Sequence, residues 1–383
     1  MRIYLDHNAT TPLRDEVLEE MARVLRDCHG NPSSVHAEGE AARAVVDAAR
    51  EQVAALLGAA PGEVLFTAGA TEANNTALLG LLRAGGDGRR RQLVSSNVEH
   101  PSVEAPLQTL ERAGFRVTRL PVDGEGLLDP DRVAEALGPE TALLSLLWAN
   151  NETGAIQPLR EIAGWARARG VPVHADATQA VGKIPVDLRQ LPLDLLSLSA
   201  HKLNGPKGVG ALWVRDGRAV EPLLQGGPQE RQRRGGTENV AGIAGLGVAC
   251  ELARRELPER QRAWAALRDR LWEGIRARIP RVARNGSAQH ALCNTLNVAF
   301  EGAAGEVLLQ ALDLEGVAVS AGAACASGSV EPSPVLLAMG LPPGRARGSL
   351  RLSVGHGVDA AQIDRVLELL PPLVERARAR RAA

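Results

Sequence analysis

Hydrophobic and polar positions along this chain switch repeatedly between two periods. Across residues 40–57 apolar side chains recur every three or four positions, which predicts an amphipathic helix. Short apolar runs at 63–67, 92–96, 141–147, 171–175 and 193–198 predict strands, and the helical period returns at 72–82, 103–113 and 159–169. Strands that alternate with helices in this way imply a mostly parallel sheet covered on both faces, an α/β fold. After about Cys250 the texture changes. A long charged helix carrying Trp264 and Trp272 leads to a strand at 295–300, a helix at 305–314, a Gly/Ala/Ser-rich stretch and a strand at 350–353. The expected division is a large α/β domain over 16–255 and a smaller α+β domain over 1–15 and 256–383.

Composition narrows the function. The 383 residues are long enough for about two domains, and 45% apolar with 23% charged content is ordinary for a globular protein. A formal net charge of −1 implies no general affinity for polyanions, and an aromatic share of 2% argues against base-stacking nucleic-acid modules. No apolar run reaches membrane-spanning length and the first residues lack an apolar leader, so a cytoplasmic location is expected. The cysteines at 28, 250, 293 and 325 are too far apart for a zinc knuckle or a disulfide scaffold. Of 44 basic residues only Lys183, Lys202 and Lys207 are lysine. Arginine replaces lysine as a surface charge but not as an amine that forms a Schiff base.

The strand ends carry the chemistry, because ligands of open parallel sheets bind beyond the carboxyl ends of the strands. The first strand is followed by Ala68-Gly-Ala-Thr-Glu, a helix start whose free N–H groups suit a phosphate at Thr71. The next ends deliver Asn97-Val-Glu-His100, Trp148-Ala-Asn-Asn151, Asp176-Ala-Thr-Gln179 and Ser199-Ala-His-Lys202. So many polar residues on one edge are poorly explained as packing, since burying them without partners is costly. A phosphate site, a carboxylate and a lysine together suggest pyridoxal 5′-phosphate, with Asp176 at the pyridine nitrogen and Lys202 as the Schiff-base amine. Neither Gly-x-Gly-x-x-Gly nor the phosphate-loop motif is present at the expected place, which disfavours nicotinamide and nucleotide enzymes.

The chain resembles the cysteine desulfurases of the class V aminotransferase family, in the branch that includes the iron–sulfur-cluster and nitrogenase-associated enzymes. The resemblance rests on Tyr4-Leu-Asp-His-Asn-Ala-Thr-Thr-Pro12, Gly30-Asn-Pro-Ser-Ser-Val-His36, Gly69-Ala-Thr-Glu72, Glu99-His100, Asn150-Asn-Glu152, Asp176-Ala-Thr-Gln179, His201-Lys202, Gly235-Gly-Thr237, the segment from Ser320 to Gly328 and Leu350-Arg-Leu-Ser353. It implies a fold-type-I pyridoxal-phosphate transferase with a seven-stranded-type sheet. It further implies that His100 stacks on the ring and moves protons, that Gln179 and Asn151 address the ring's 3-oxygen and the substrate side, and that Ala70, Thr71, Ser199 and His201 hold the phosphate. Thr237 looks like the residue that reaches the neighbouring subunit's phosphate, so a homodimer is implied. Arg351 resembles the arginine that grips the substrate carboxylate, with Asn151 and Asn31 also on the substrate side. His36 and His174 read as structural, and Lys183 and Lys207 as surface or turn lysines.

Cys325 lies among small residues, Ala-Gly-Ala-Ala-Cys-Ala-Ser-Gly, where a mobile segment is expected. By the resemblance it is the thiol that takes sulfur from L-cysteine as a persulfide, releases L-alanine and passes the sulfur to an acceptor protein for iron–sulfur clusters or other sulfur-containing products. No metal is expected in catalysis, though the resemblance allows Cys325 a transient contact with an iron–sulfur cluster. The nearest rival in the same fold is a selenocysteine lyase. A class V aminotransferase would not need Cys325, and a non-enzymatic scaffold would have no use for Lys202, Asp176, His100 and Cys325 together.

Overall fold

The structure, a computed structural model, describes residues 2–85, 90–321 and 331–382. Its strands are β1 (Ile3–Tyr4), β2 (Val64–Thr67), β3 (Gln92–Ser96), β4 (Arg116–Leu120), β5 (Thr141–Leu147), β6 (Val173–Asp176), β7 (Leu195–Ser199), β8 (Gly210–Val214), β9 (Val282–Asn285), β10 (Thr295–Phe300), β11 (Val317–Ala318) and β12 (Ser349–Ser353).

Seven strands form one sheet in the order β2-β8-β7-β6-β5-β3-β4. β8 is antiparallel to both neighbours and the remaining pairs are parallel, as the α/β pattern predicts. The period of two decides the faces. Phe66, Leu144, Leu146, Ala175, Leu196 and Leu198 point into one apolar layer, while Leu65, Leu143, Leu195 and Leu212 point into another. The first layer is closed by the helix Ala37–Leu57 and the start of the helix Val240–Arg278. The second is closed by a helical segment over 70–84 and the helix Pro101–Arg112. Helix Ala37–Leu57 stops where Gly58 adopts φ +63°, and a side chain there would collide with Asp187.

β4 is not apparent from the hydropathy pattern, and β8 is an apolar run outside the strands expected from it. β4 is the sheet edge and reads Arg-Val-Thr-Arg-Leu, with no apolar run. β8 begins with a glycine directly after the turn around Gly205 to Gly208.

A second apolar core lies behind an antiparallel sheet β12-β10-β9, with β1 pairing β11 beside it. The expected boundary at 255 falls inside the helix Val240–Arg278. Ala249 and Leu252 of that helix belong to the first core, Leu271 and Ile275 to the second. One helix, with Pro258 inside it, therefore enters both cores. No helix among the described residues is long and apolar enough to cross a membrane.

A buried ion pair ties β2 to the 228–236 loop. Arg50 donates two hydrogen bonds to Glu230, at 2.7 and 3.0 Å, and a third to the Val64 carbonyl at 2.8 Å. Glu230 also accepts the Phe66 N–H at 3.0 Å, and Arg50 lies over the Phe66 ring. Removing one partner of such a pair strands the other in a dry interior. Arg50→Ala is expected to lower stability by about 3 kcal/mol in urea unfolding. A loss below about 1 kcal/mol would mean that Glu230 finds water instead.

Candidate active site

The carboxyl ends of β2, β3, β5, β6 and β7 meet at one edge, and the winding of the chain reverses between β3 and β5. That reversal opens a crevice at the edge. Asp176 is the last residue of β6 and is 2% exposed. Its Oδ2 accepts the Asn74 amide at 2.8 Å and its Oδ1 the Thr178 N–H at 3.0 Å. No ion pair neutralises it among the described residues. Two more polar atoms beside it, Asn74 Oδ1 and Thr178 Oγ1, are buried without partners. The helical run over 70–84 takes a π-turn at Thr76–Gly80, just after the asparagine that holds Asp176. Such turns are frequent at functional sites.

His100 caps the helix Pro101–Arg112. Its Nδ1 accepts the Ser102 N–H at 3.1 Å and lies 2.8 Å from the Ser102 hydroxyl. An Nδ1 that accepts a backbone N–H leaves the neutral ring's proton on Nε2. Burial lowers the His100 pKa below the usual imidazole value, while the Asp176 charge opposes the shift and Lys202 adds to it. The three groups therefore share one electrostatic neighbourhood. Thr71, Asn75 and Leu79 line a cavity of about 350 Å³ together with His100 and Ser102.

Lys202 ends the short turn Ala200–Lys202 after β7. Its Nζ donates to the carbonyls of Asn8 and Ala9, both at 2.6 Å. Gln179 Nε2 donates to the same Asn8 carbonyl at 2.9 Å. The Asn8 side chain in turn bonds the Asn151 carbonyl, Thr295 and Asn294. Asn8 thus joins the sheet edge to the second core. It lies inside the N-terminal motif but gave no sign of this role, because a single asparagine carries no period and no charge.

Around Gly69 the backbone forms a cradle. Gly69 has φ +149°, and a side chain on it would come to 3.8 Å from the Ser199 hydroxyl. A side chain on Gly210 would strike the Gly69 backbone at 2.8 Å. Ala70 and Thr71 follow at the helix start, where first-turn N–H groups lack intrahelical acceptors. His201 stands 3.1 Å from Thr10 through Nδ1, and burial with three nearby lysines lowers its pKa to about 4. Arg351 is 1% exposed; it donates to Asp6 at 2.6 Å and to the Asn151 carbonyl at 3.1 Å, and its Nε is buried without a partner.

Not every expected residue joins this group. Asn31 is exposed and its side chain accepts the Ser33 N–H. Thr237 is exposed on a loop that Arg234 ties to Glu72 at 3.0 Å. Cys325 lies outside the described residues. His36 caps a helix, and His174 is wedged between Ser145 and Ser197, which agrees with structural roles. Lys207 is exposed. Lys183 lies in a turn, but its side chain is 3% exposed and not at the surface. Its sequence neighbours, Val-Gly before and Ile-Pro after, offered no charge or motif to reveal that.

A family model described as aminotransferase class-V matches residues 3–366. A cysteine desulfurase of Cereibacter sphaeroides is 50% identical, covering 99% of this chain and 97% of its own length. The cysteine desulfurase IscS of Methanosarcina thermophila is 45% identical, covering 98% of this chain and 93% of its own. Among solved structures, a NifS-like protein aligns with a TM-score of 0.92 and 36% identity over 98% of this chain and all of its own. The structure described as SspA in complex with cysteine aligns with a TM-score of 0.82 and 37% identity over 92% of this chain and 99% of its own.

Glu99, beside His100, gives a direct test of the site's dryness. Its Oε1 accepts from the Ser96 hydroxyl at 2.5 Å and the Leu147 N–H at 3.1 Å, while Oε2 is buried without a partner. Burial raises its pKa from 4.5 to about 8, with Asp176 pushing the same way. A folded pKa above the unfolded one means that the folded state holds the extra proton between those values, so stability falls as pH rises through that window. Glu99→Gln stays neutral. Its stability relative to wild type is expected to rise by more than about 1 kcal/mol across that window in urea unfolding. A difference independent of pH would show that Glu99 is charged throughout.

Proposed function

The chain belongs to the class-V aminotransferase family, and we propose that it works there as a cysteine desulfurase, converting L-cysteine to L-alanine with transfer of the sulfur to Cys325. The observation that carries this reading is the meeting of Lys202, Asp176 and His100 at one sheet edge, in a chain half identical to a protein named cysteine desulfurase.

The residues fit pyridoxal 5′-phosphate. Asp176 is a buried acceptor held by neutral donors, with the unpartnered Asn74 and Thr178 oxygens beside it, which suits a protonated ring nitrogen. The Gly69 cradle, with Ala70, Thr71, Ser199 and His201, suits a phosphate. Gln179 and Asn151 are assigned to the ring's 3-oxygen and the substrate side. When bound, the cofactor supplies an electron sink that makes the substrate Cα–H acidic.

The chain's own groups then divide the work. Lys202 Nζ takes the α-proton, since it is the amine the Asn8 and Ala9 carbonyls hold in place. Arg351 grips the α-carboxylate, as its fork geometry allows. The Cys325 thiolate attacks the substrate sulfur: the carbon–sulfur bond breaks, a sulfur–sulfur bond forms, and the carbon gains a proton. His100 presents Nε2–H for that protonation. The carbon is reduced as the thiol is oxidised to a persulfide, so no external oxidant is required. The persulfide sulfur then passes to an acceptor protein for iron–sulfur clusters or other sulfur-containing products. Thr237 is assigned to the phosphate of a neighbouring subunit in a homodimer, and Asn31 to the substrate side. Exposed Leu18, Leu25 and Val35 supply apolar surface compatible with such pairing.

Lys202→Ala is expected to purify without the yellow colour of the bound cofactor. Cys325→Ser is expected to keep the colour and to lose sulfide release from cysteine by at least about a hundredfold. Sulfide release by Cys325→Ser at the wild-type rate would overturn the assignment of the thiol.

A further inference from the structure

Lys183 is the one lysine that neither the sheet edge nor the surface accounts for. Its side chain is 3% exposed, and no carboxylate pairs with it among the described residues. Instead its ammonium donates to two amide oxygens: Asn8 Oδ1 at 3.3 Å, and Gln179 Oε1 in a short bond. Both amides belong to the network around Lys202. Gln179 turns its other end, Nε2, to the Asn8 carbonyl that also receives Lys202.

An amide side chain has two nearly isosteric orientations, and its partners choose between them. An ammonium has donors only. It therefore favours Gln179 in one orientation, with the oxygen toward Lys183 and Nε2 toward the Asn8 carbonyl. The flipped amide would set two N–H groups against an ammonium and a carbonyl oxygen against a carbonyl oxygen. A buried cation without a carboxylate is costly to keep, so the cost needs a return elsewhere in the site.

We propose that Lys183 is a positioning residue of the cofactor pocket: it locks the Gln179 amide with its Nε2 toward the Asn8 carbonyl that also receives the Lys202 amine, and while protonated it adds a positive charge behind that carbonyl. This rests on the reading of Lys202 and Gln179 as cofactor-binding residues. The surroundings agree. The charged and titratable groups that Lys183 feels or that feel it are Lys202 and His201 after β7, Arg351 on β12, Cys293 before β10 and His7 on the N-terminal segment. His7 and His201 both have pKa values lowered to about 4, so they are neutral near pH 7. Burial lowers the Lys183 pKa to about 7, with the Lys202 charge pushing the same way, so the amine is mostly an ammonium below that pH and mostly neutral above it.

The test uses the full chain with its cofactor bound. Lys183→Met fills the space without donor or charge. It is expected to lose cofactor on dialysis about tenfold faster than wild type, the effect of one lost charged hydrogen bond. Below about pH 7, where Lys183 carries its charge, losing that cation makes the Lys202 nitrogen easier to protonate, so the pH midpoint of the yellow absorbance is expected to move up. Because Lys183 acts through Gln179, the double variant with Gln179→Ala is expected to lose cofactor no faster than Gln179→Ala alone. Lys183→Gln, which also removes the charge, is expected to show the same upward midpoint and serves if the methionine variant does not fold. Additive losses in the double variant would overturn the proposal. So would a lower melting temperature with retention and midpoint unchanged. Lys202→Ala runs in parallel: if it stays yellow, the reading of Lys202 has failed rather than that of Lys183.

Discussion

The carbonyl of Asn8 receives both Lys202 and Gln179, and the arrangement of the sheet edge depends on where that carbonyl lies. A lysine amine on four flexible carbons has no fixed position of its own. Two carbonyl acceptors of consecutive residues, Asn8 and Ala9, give it one. Asn8 is itself fixed by Asn151, Asn294, Thr295 and Ser353, which come from different parts of the chain. The position of one nitrogen is thus set by polar groups from the loop after β5, the start of β10 and the end of β12.

The molecule handles buried charge in two ways. Away from the sheet edge, Arg50 meets Glu230 directly, and the pair is closed by backbone groups. At the edge, Asp176 and Lys183 are held by neutral amides and backbone groups. A neutral shell orients a charged group without cancelling its charge, which leaves that charge to act on something else. Arg351 stands between the two cases, with Asp6 on one nitrogen and a buried, unpartnered Nε.

Much of this was legible in the sequence. Strands β3, β5 and β10 fall where short apolar runs predict them, because buried strands must be apolar on both faces. The polar residues after each strand mark the edge, since their burial has no packing rationale. β4 was not legible because an edge strand is half solvated, and its arginines hide the period. The role of Lys183 was hidden for a different reason. Its partners, Asn8 and Gln179, are uncharged, and one of them is 175 residues away. A resemblance of motifs points to residues that touch a cofactor and passes over those that orient them.

The strap formed by residues 3–12 has a temporal consequence. β1 pairs with β11, Asp6 bonds Arg351, and Asn8 bonds Asn294 and Ser353. A ribosome makes the N-terminal end of each of these contacts first and the C-terminal end hundreds of residues later. The seven-stranded sheet is complete in sequence by Val214, well before those partners exist. The growing chain can therefore lay down its sheet while its first residues still wait, and the lysine's seat is built last. A chain truncated before β12 keeps every strand of the large sheet and lacks the anchors that set the nitrogen in place.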